Sequence, residues 1–177
     1  DFAVVGEPTG MQPAVCEKGL LVLDCSTHGK SGHAARNEGI NALYKATETI
    51  EALRTFEFPL ASDLLGKVKL TVTQIQAGTQ HNVIPARCDF VVDVRTNDRY
   101  TNAEAVEILK SRFPEVKIAP RSLRLNSSAI SMQHPFVRRA LLAGYKPFGS
   151  PTLSDQALMP FPSVKMGPGD SSRSHTA

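Results

Sequence analysis

Two stretches of strict alternation limit what this chain can fold into. From Lys67 to Gln76, the apolar Val68, Leu70 and Val72 fall on one side. Lys67, Lys69, Thr71 and Thr73 fall on the other. From Arg87 to Arg95, the apolar Cys88, Phe90, Val92 and Val94 alternate with Arg87, Asp89, Asp93 and Arg95. A period of two marks strands with one face on a core and the other toward water. The polar turn Gly78-Thr79-Gln80-His81-Asn82 joins the pair. A strand over Glu17–His28 comes first, apolar on both faces at Leu20 to Leu23. Between it and the alternating pair, Asn37 can cap a helix over roughly 38–55, with Ile40, Leu43, Tyr44, Thr47, Ile50 and Leu53 on its apolar face.

Beyond the second alternating strand, Thr101-Asn102-Ala103-Glu104 forms a capping box. A Thr hydroxyl and a Glu carboxylate three residues apart satisfy each other's backbone N–H groups there. The helix it opens buries Ala105, Ile108 and Leu109 and stops at Pro114. Val116 to Leu125 supplies one or two short strands. The order strand, helix, strand, strand, helix, strand predicts an α+β fold. It is a ferredoxin-like four-stranded antiparallel sheet, with two helices on one face, over about residues 17–126.

The flanks do not belong to that layer. Phe2 to Val5 reads as a short buried strand running into the loop Gly6-Glu7-Pro8-Thr9-Gly10. Gln133 to Gly144 is an amphipathic helix, Ser154 or Asp155 caps a short helix, and Pro162 to Met166 is a short strand. Residues 1–16 and 127–177 therefore predict two edges of a second, α/β domain into which 17–126 is inserted. Both ends read as cut.

Composition narrows the function. The net charge is +3 and the basic residues are scattered without aromatic interleaving, which argues against a nucleic-acid surface. No apolar run approaches the ~20 residues that span a bilayer, so no membrane role is expected. Cys16, Cys25 and Cys88 are an odd number without a Cys-x-x-Cys pair, which fits reduced thiols in a cytoplasmic protein.

The most suggestive local stretch runs from Gly29 to Ala42. Glycines bracket Lys30 and Ser31, so the chain can turn sharply, present His33 and enter a helix. Gly29-Lys30-Ser31 looks like the tail of a phosphate-binding loop. That loop needs a glycine where this chain has Asp24, whose charge would repel phosphate. Other reactive candidates are Glu7, His81, Asn82, Arg95, Asp155 and His175. Glu7 lies at a strand-to-loop junction, where ligands sit in α/β sheets, although a surface-turn glutamate is the commoner reading. Glu7 and His175 could together contribute to a zinc site, which needs at least three protein ligands. Arg95 could clamp a carboxylate or form an exposed salt bridge.

Five motifs in order resemble the M20 family of metallopeptidases and deacylases, over essentially the whole chain. They are Val5-Gly6-Glu7-Pro8-Thr9; Gly32-His33-Ala34-Ala35 with Gly39-Ile40-Asn41-Ala42; His81-Asn82-Val83-Ile84-Pro85; Asp93-Val94-Arg95; and Gly167-Pro168-Gly169 with Ser174-His175-Thr176-Ala177. The resemblance implies a two-domain enzyme with a zinc pair (cobalt being the other metal it admits), and a lid domain that forms a homodimer. By that analogy Glu7 ligates one metal and His175 the other. His33 would reach into the partner's site to stabilise an oxyanion. Asn82 and Arg95 would hold the substrate, and Ser154 and Asp155 would border its pocket. Within the family the lean is to an enzyme that deacylates N-acetylornithine or N-acetylcitrulline. A succinyl-diaminopimelate desuccinylase or a dipeptidase is the alternative. The family's first histidine, bridging aspartate and Glu-Glu pair are missing, so the chain is expected to be inactive alone. A non-catalytic ferredoxin-like dimerisation module is the rival from another class.

Overall fold

Cys88, Phe90, Val92 and Val94, the inward set of the second alternating strand, are all at most 2% exposed. The structure, a computed structural model, describes residues 2–170. Its strands are β1 Ala3–Val5, β2 Ala14–Glu17, β3 Leu21–His28, β4 Gly32–His33, β5 Lys69–Ala77, β6 Val83–Ile84, β7 Arg87–Arg95, β8 Lys117–Pro120, β9 Ser128–Ala129, β10 Phe148–Ser150 and β11 Ser163–Lys165. The helices are α1 Ala42–Thr55, α2 Asn102–Arg112 and α3 Pro135–Leu142, with a single 3-10 turn at Asp155–Leu158.

The central sheet has the order β5-β7-β3-β8 with every neighbour antiparallel, which is the ferredoxin-like arrangement. One face is a core. Leu21, Leu23 and Cys25 of β3 and the inward set of β7 pack against Ala42, Ala46 and Leu53 of α1 and Ala105, Val106 and Leu109 of α2. The other face is polar, with Asp24, Asp89 and Asp93 paired to Arg121, Arg87 and Arg95. The capping box forms as expected: Thr101 Oγ1 accepts from the Glu104 amide, and the Glu104 carboxylate accepts from the Thr101 amide.

A second sheet runs β1-β11-β2-β10, with β9 beside β2. Here β1 and β11 are parallel, as are β10 and β2. Val15 and Val164 from this sheet, with Ile130 and Val137, form a smaller core beneath α3.

Three expectations need correction. The strand expected over Glu17–His28 is two strands in two sheets. Gly19 marks the crossover, its amide bonded to the Thr96 carbonyl at 3.0 Å, and a Cβ there would run into Thr96, Ser127 and Leu125. Buried Asn102 braces this point, donating to the Leu20 and Leu125 carbonyls at 3.2 and 2.9 Å. Second, α1 is capped by Asn41, not Asn37: Asn41 Oδ1 accepts from the Leu43 amide at 2.9 Å. Lys30 and Ile40 form an antiparallel bridge and Gly39 takes φ +96°, so the segment before Asn41 is extended and Ile40 is exposed. Third, β1 is an edge strand paired only with β11 among the described residues. Phe2 and Val4 are 41% and 50% exposed rather than buried.

Candidate functional site

Glu7 lies two residues beyond the end of β1, and Met166-Gly167 follows directly on β11. Because these two strands are parallel, both loops leave the same end of the sheet. They are laced together. The Thr9 and Met11 amides donate to the Gly167 carbonyl at 3.1 and 3.0 Å, and the Gly10 amide donates to the Gly169 carbonyl at 2.7 Å. The Gly167 amide returns a bond to Thr9 Oγ1 at 3.1 Å. A Cβ on Gly167 would press 2.6 Å from the Glu7 carbonyl, so only glycine allows this approach. The Glu7 side chain is exposed and makes no hydrogen bond or ion pair with the described residues. This is an oxygen donor at the carboxyl end of a parallel strand pair, the place where α/β folds bind ligands. His175 lies outside the described residues. Among those described, no group of three or more His, Cys, Asp or Glu side chains could hold a metal ion.

His33 stands on a separate ribbon. β4 pairs antiparallel with β6, with His33 opposite Val83, and the Ala34 amide donates to the Asn82 carbonyl at 2.9 Å. His33, Asn82 and His81 are therefore neighbours, and all three are exposed. Tight glycine contacts hold the ribbon's base: a Cβ on Gly29 would strike the Ile40 carbonyl, and one on Gly32 that of Glu38. The Ala35 amide donates to His33 Nδ1 at 3.1 Å. That occupies Nδ1 as an acceptor, so a neutral ring carries its proton on Nε2, pointing away from the backbone. An outward N–H donor is what stabilisation of an oxyanion requires.

Two expected partners are placed elsewhere. Arg95 ends the nine-residue strand β7, at about 3.3 Å per residue roughly 25 Å from the Asn82 end. Its guanidinium forks onto Asp93 at 2.7 and 3.0 Å, so within this chain it clamps an internal carboxylate and does not join Asn82. Ser154 caps the 3-10 turn as expected, but its hydroxyl turns inward and donates to Glu17 Oε2 at 2.8 Å. Only Asp155 beside it is exposed.

The acceptor of that bond escaped sequence reasoning. Glu17 and Lys165 form an ion pair at 3.2 Å with their side chains 0% and 3% exposed. The available signal was a single charge inside each of two apolar runs, Ala14-Val15-Cys16-Glu17 and Ser163-Val164-Lys165-Met166. Lys165 Nζ also donates to the Thr152 carbonyl and hydroxyl at 2.9 and 3.2 Å. Burial, with Asp98 and Glu17 adding to it, pushes the neighbouring Cys16 thiol up to about 11, and burial with Asp24 pushes Cys25 to about 12. Neither is a nucleophile at neutral pH.

Residues 15–119 match the peptidase dimerisation domain of the M20 family, more than half of the chain. Among curated relatives, the acetylornithine deacetylase of Myxococcus xanthus is 32% identical over 100 residues, 52% of this chain and 26% of its own length. A putative [LysW]-lysine/[LysW]-ornithine hydrolase of Aeropyrum pernix is 29% identical over 193 aligned positions, 98% of this chain and 50% of its own. Among solved structures, the aminopeptidase PepT of Bacillus cereus superposes with a TM-score of 0.67 at 14% identity, covering 94% of this chain and 48% of that one. The Bacillus subtilis YXEP protein, described as a dinuclear metal binding peptidase from the M20 family, gives 0.64 at 19% identity, covering 94% and 47%. The chain thus spans at most about half the length of these relatives. With the ferredoxin-like sheet matched across its whole core, the chain belongs to the M20 peptidase family and carries that family's dimerisation domain.

Proposed function

We propose that this chain is the lid and an adjoining catalytic-domain portion of a metal-dependent amidohydrolase. Its substrate is an N-acyl amino acid such as N-acetylornithine or N-acetylcitrulline. The observation that carries the reading is the Glu7 loop: a carboxylate unpaired among the described residues, held by five hydrogen bonds between Thr9–Met11 and Gly167–Gly169, at the end of a parallel strand pair. In this reading 17–126 is the lid, and 1–16 and 127–177 are the catalytic-domain edges. Glu7 and His175 belong to the ligand set of a zinc pair, completed by residues this chain does not carry. Zinc, when bound, polarises the amide carbonyl and brings a bound water's pKa toward ~7. His33 donates from Nε2 to the developing oxyanion. Asn82 orients the substrate from the same ribbon, and Asp155 borders the pocket. The working compartment is the cytoplasm, and the 177-residue chain alone does not turn over substrate.

Turnover by the whole protein, assayed on N-acetylornithine, N-acetylcitrulline, N-succinyl-diaminopimelate and a dipeptide, tests the substrate class. The two N-acetyl substrates are expected to give the highest kcat/KM. A higher value for the succinyl compound favours the desuccinylase reading, to which similarity to the Shewanella loihica succinyl-diaminopimelate desuccinylase 2, 28% identical over 109 residues, already points. Hydrolysis of none contradicts the enzyme reading.

His33 lies on the lid, far along the sheet from the Gly19 crossover, so it reaches a catalytic centre most directly by crossing to a second copy. β5 is a sheet edge nine residues long, with its own Ile75 50% exposed and Tyr44 of α1 67% exposed. An unpaired edge of that length templates another strand. Light scattering at high micromolar concentration is expected to give twice the chain mass. A monomer would remove the basis for His33 acting across a dimer.

A further inference from the structure

We propose that Glu17 and Lys165 are positioning residues for the Glu7 loop, acting from inside the second sheet. The proposal rests on the reading above only in giving the Glu7 loop its task. The geometry stands by itself. Lys165 is the last residue of β11; its register partners are Val5, two residues before Glu7, and Ala14 of β2. Glu17 is the last residue of β2, two residues before the crossover at Gly19. Their contact therefore ties the end of β11, from which Gly167 departs, to the end of β2, from which the chain crosses to the central sheet.

The pair is a hub. Glu17 Oε2 meets Lys165 Nζ and the Ser154 hydroxyl, and Nζ holds the Thr152 carbonyl and hydroxyl. Two strand ends and the 150–155 loop are thus fixed to one point. Beyond it, Met166 donates to the Val5 carbonyl at 2.9 Å, and the lacing of Thr9–Met11 to Gly167–Gly169 follows at once. Stability alone does not account for two fully desolvated charges, since well-packed apolar residues at such positions are commonly as stable or more so. Glu17 Oε1 has no hydrogen-bond partner among the described residues, so Lys165 and the Ser154 hydroxyl, both at Oε2, together offset the charge. What the pair adds is direction: hydrogen bonds to Thr152 and Ser154 that an apolar contact cannot replace.

The double substitution Glu17→Gln/Lys165→Met removes both charges and leaves neither unpaired. Hydrogen exchange in the 177-residue chain is the first measurement. With the melting temperature kept within a few degrees of the parent, the Thr9, Gly10, Met11 and Gly167 amides are expected to exchange at least tenfold faster. The amides of Leu23 and Val92 in the central sheet should not change. Parental rates in the Glu7 loop overturn the proposal and leave the pair a purely structural one. Should the double variant not fold, Ser154→Ala keeps both charges and is expected to speed the same four amides by a smaller factor, on the order of fivefold; unchanged rates there overturn it equally. Zinc affinity of the whole protein is the second measurement. A loop that exchanges faster while zinc affinity is unchanged supports positioning but contradicts Glu7 as a metal ligand, so the two claims fail separately.

Discussion

Lys165→Met lowers the stability of the chain by about 3–5 kcal/mol, the usual cost of removing one partner from a buried ion pair. For a chain of this size that is a fall in melting temperature of roughly 6–20 °C. The reason is the surroundings of Glu17. Its side chain is 0% exposed, and once Lys165 is gone only the Ser154 hydroxyl remains on Oε2. The sheet cannot open to hydrate the carboxylate, because Val15, Val164 and Val137 seal the core around the same strands. Thermal denaturation checks this. A fall of less than about 2 °C would mean that Glu17 is relieved by a partner outside the described residues.

Glu7→Gln is expected to act in the opposite manner. Glu7 is exposed and bonds to no described residue, so stability should move by no more than about 0.5 kcal/mol. In the whole protein, metal affinity and metal-dependent turnover should fall at least about 100-fold. Losing a residue that merely orients a ligand already costs ~10–100-fold, and here the ligand itself is removed. Calorimetric zinc titration beside a melting curve checks both halves. A large stability change with unaltered zinc binding would make Glu7 a structural carboxylate.

The ferredoxin-like domain was legible because its information is local. Alternation at Cys88, Phe90, Val92 and Val94, and the Thr101–Glu104 box, are decided by residues a few positions apart, and the structure forms both as the sequence predicts. The cap at Asn41 was missed for a physical reason. Asn37 and Asn41 are chemically equal caps, and the choice is made by the Lys30–Ile40 bridge and the positive φ of Gly39. The break at Gly19 was hidden because Glu17-Lys18-Gly19 leads into Leu20-Leu21-Val22-Leu23 with no turn signal beyond one glycine, and the contacts that impose it come from Thr96, Leu125 and Ser127, far along the chain. The Glu17–Lys165 pair and the lacing of Thr9 to Gly167 join residues about 150 positions apart, beyond the reach of any periodicity. Arg95 shows how two readings can stay open in sequence: a guanidinium suited to a ligand carboxylate pairs in this chain with Asp93, two residues away on its own strand.

The most direct test of a metal-dependent amidohydrolase is turnover of N-acetylornithine by the whole protein before chelation, after it, and after zinc is restored. Activity is expected to disappear with the metal and return with it, while Glu7→Gln stays inactive at the same zinc concentration. Full activity in metal-stripped protein would contradict it.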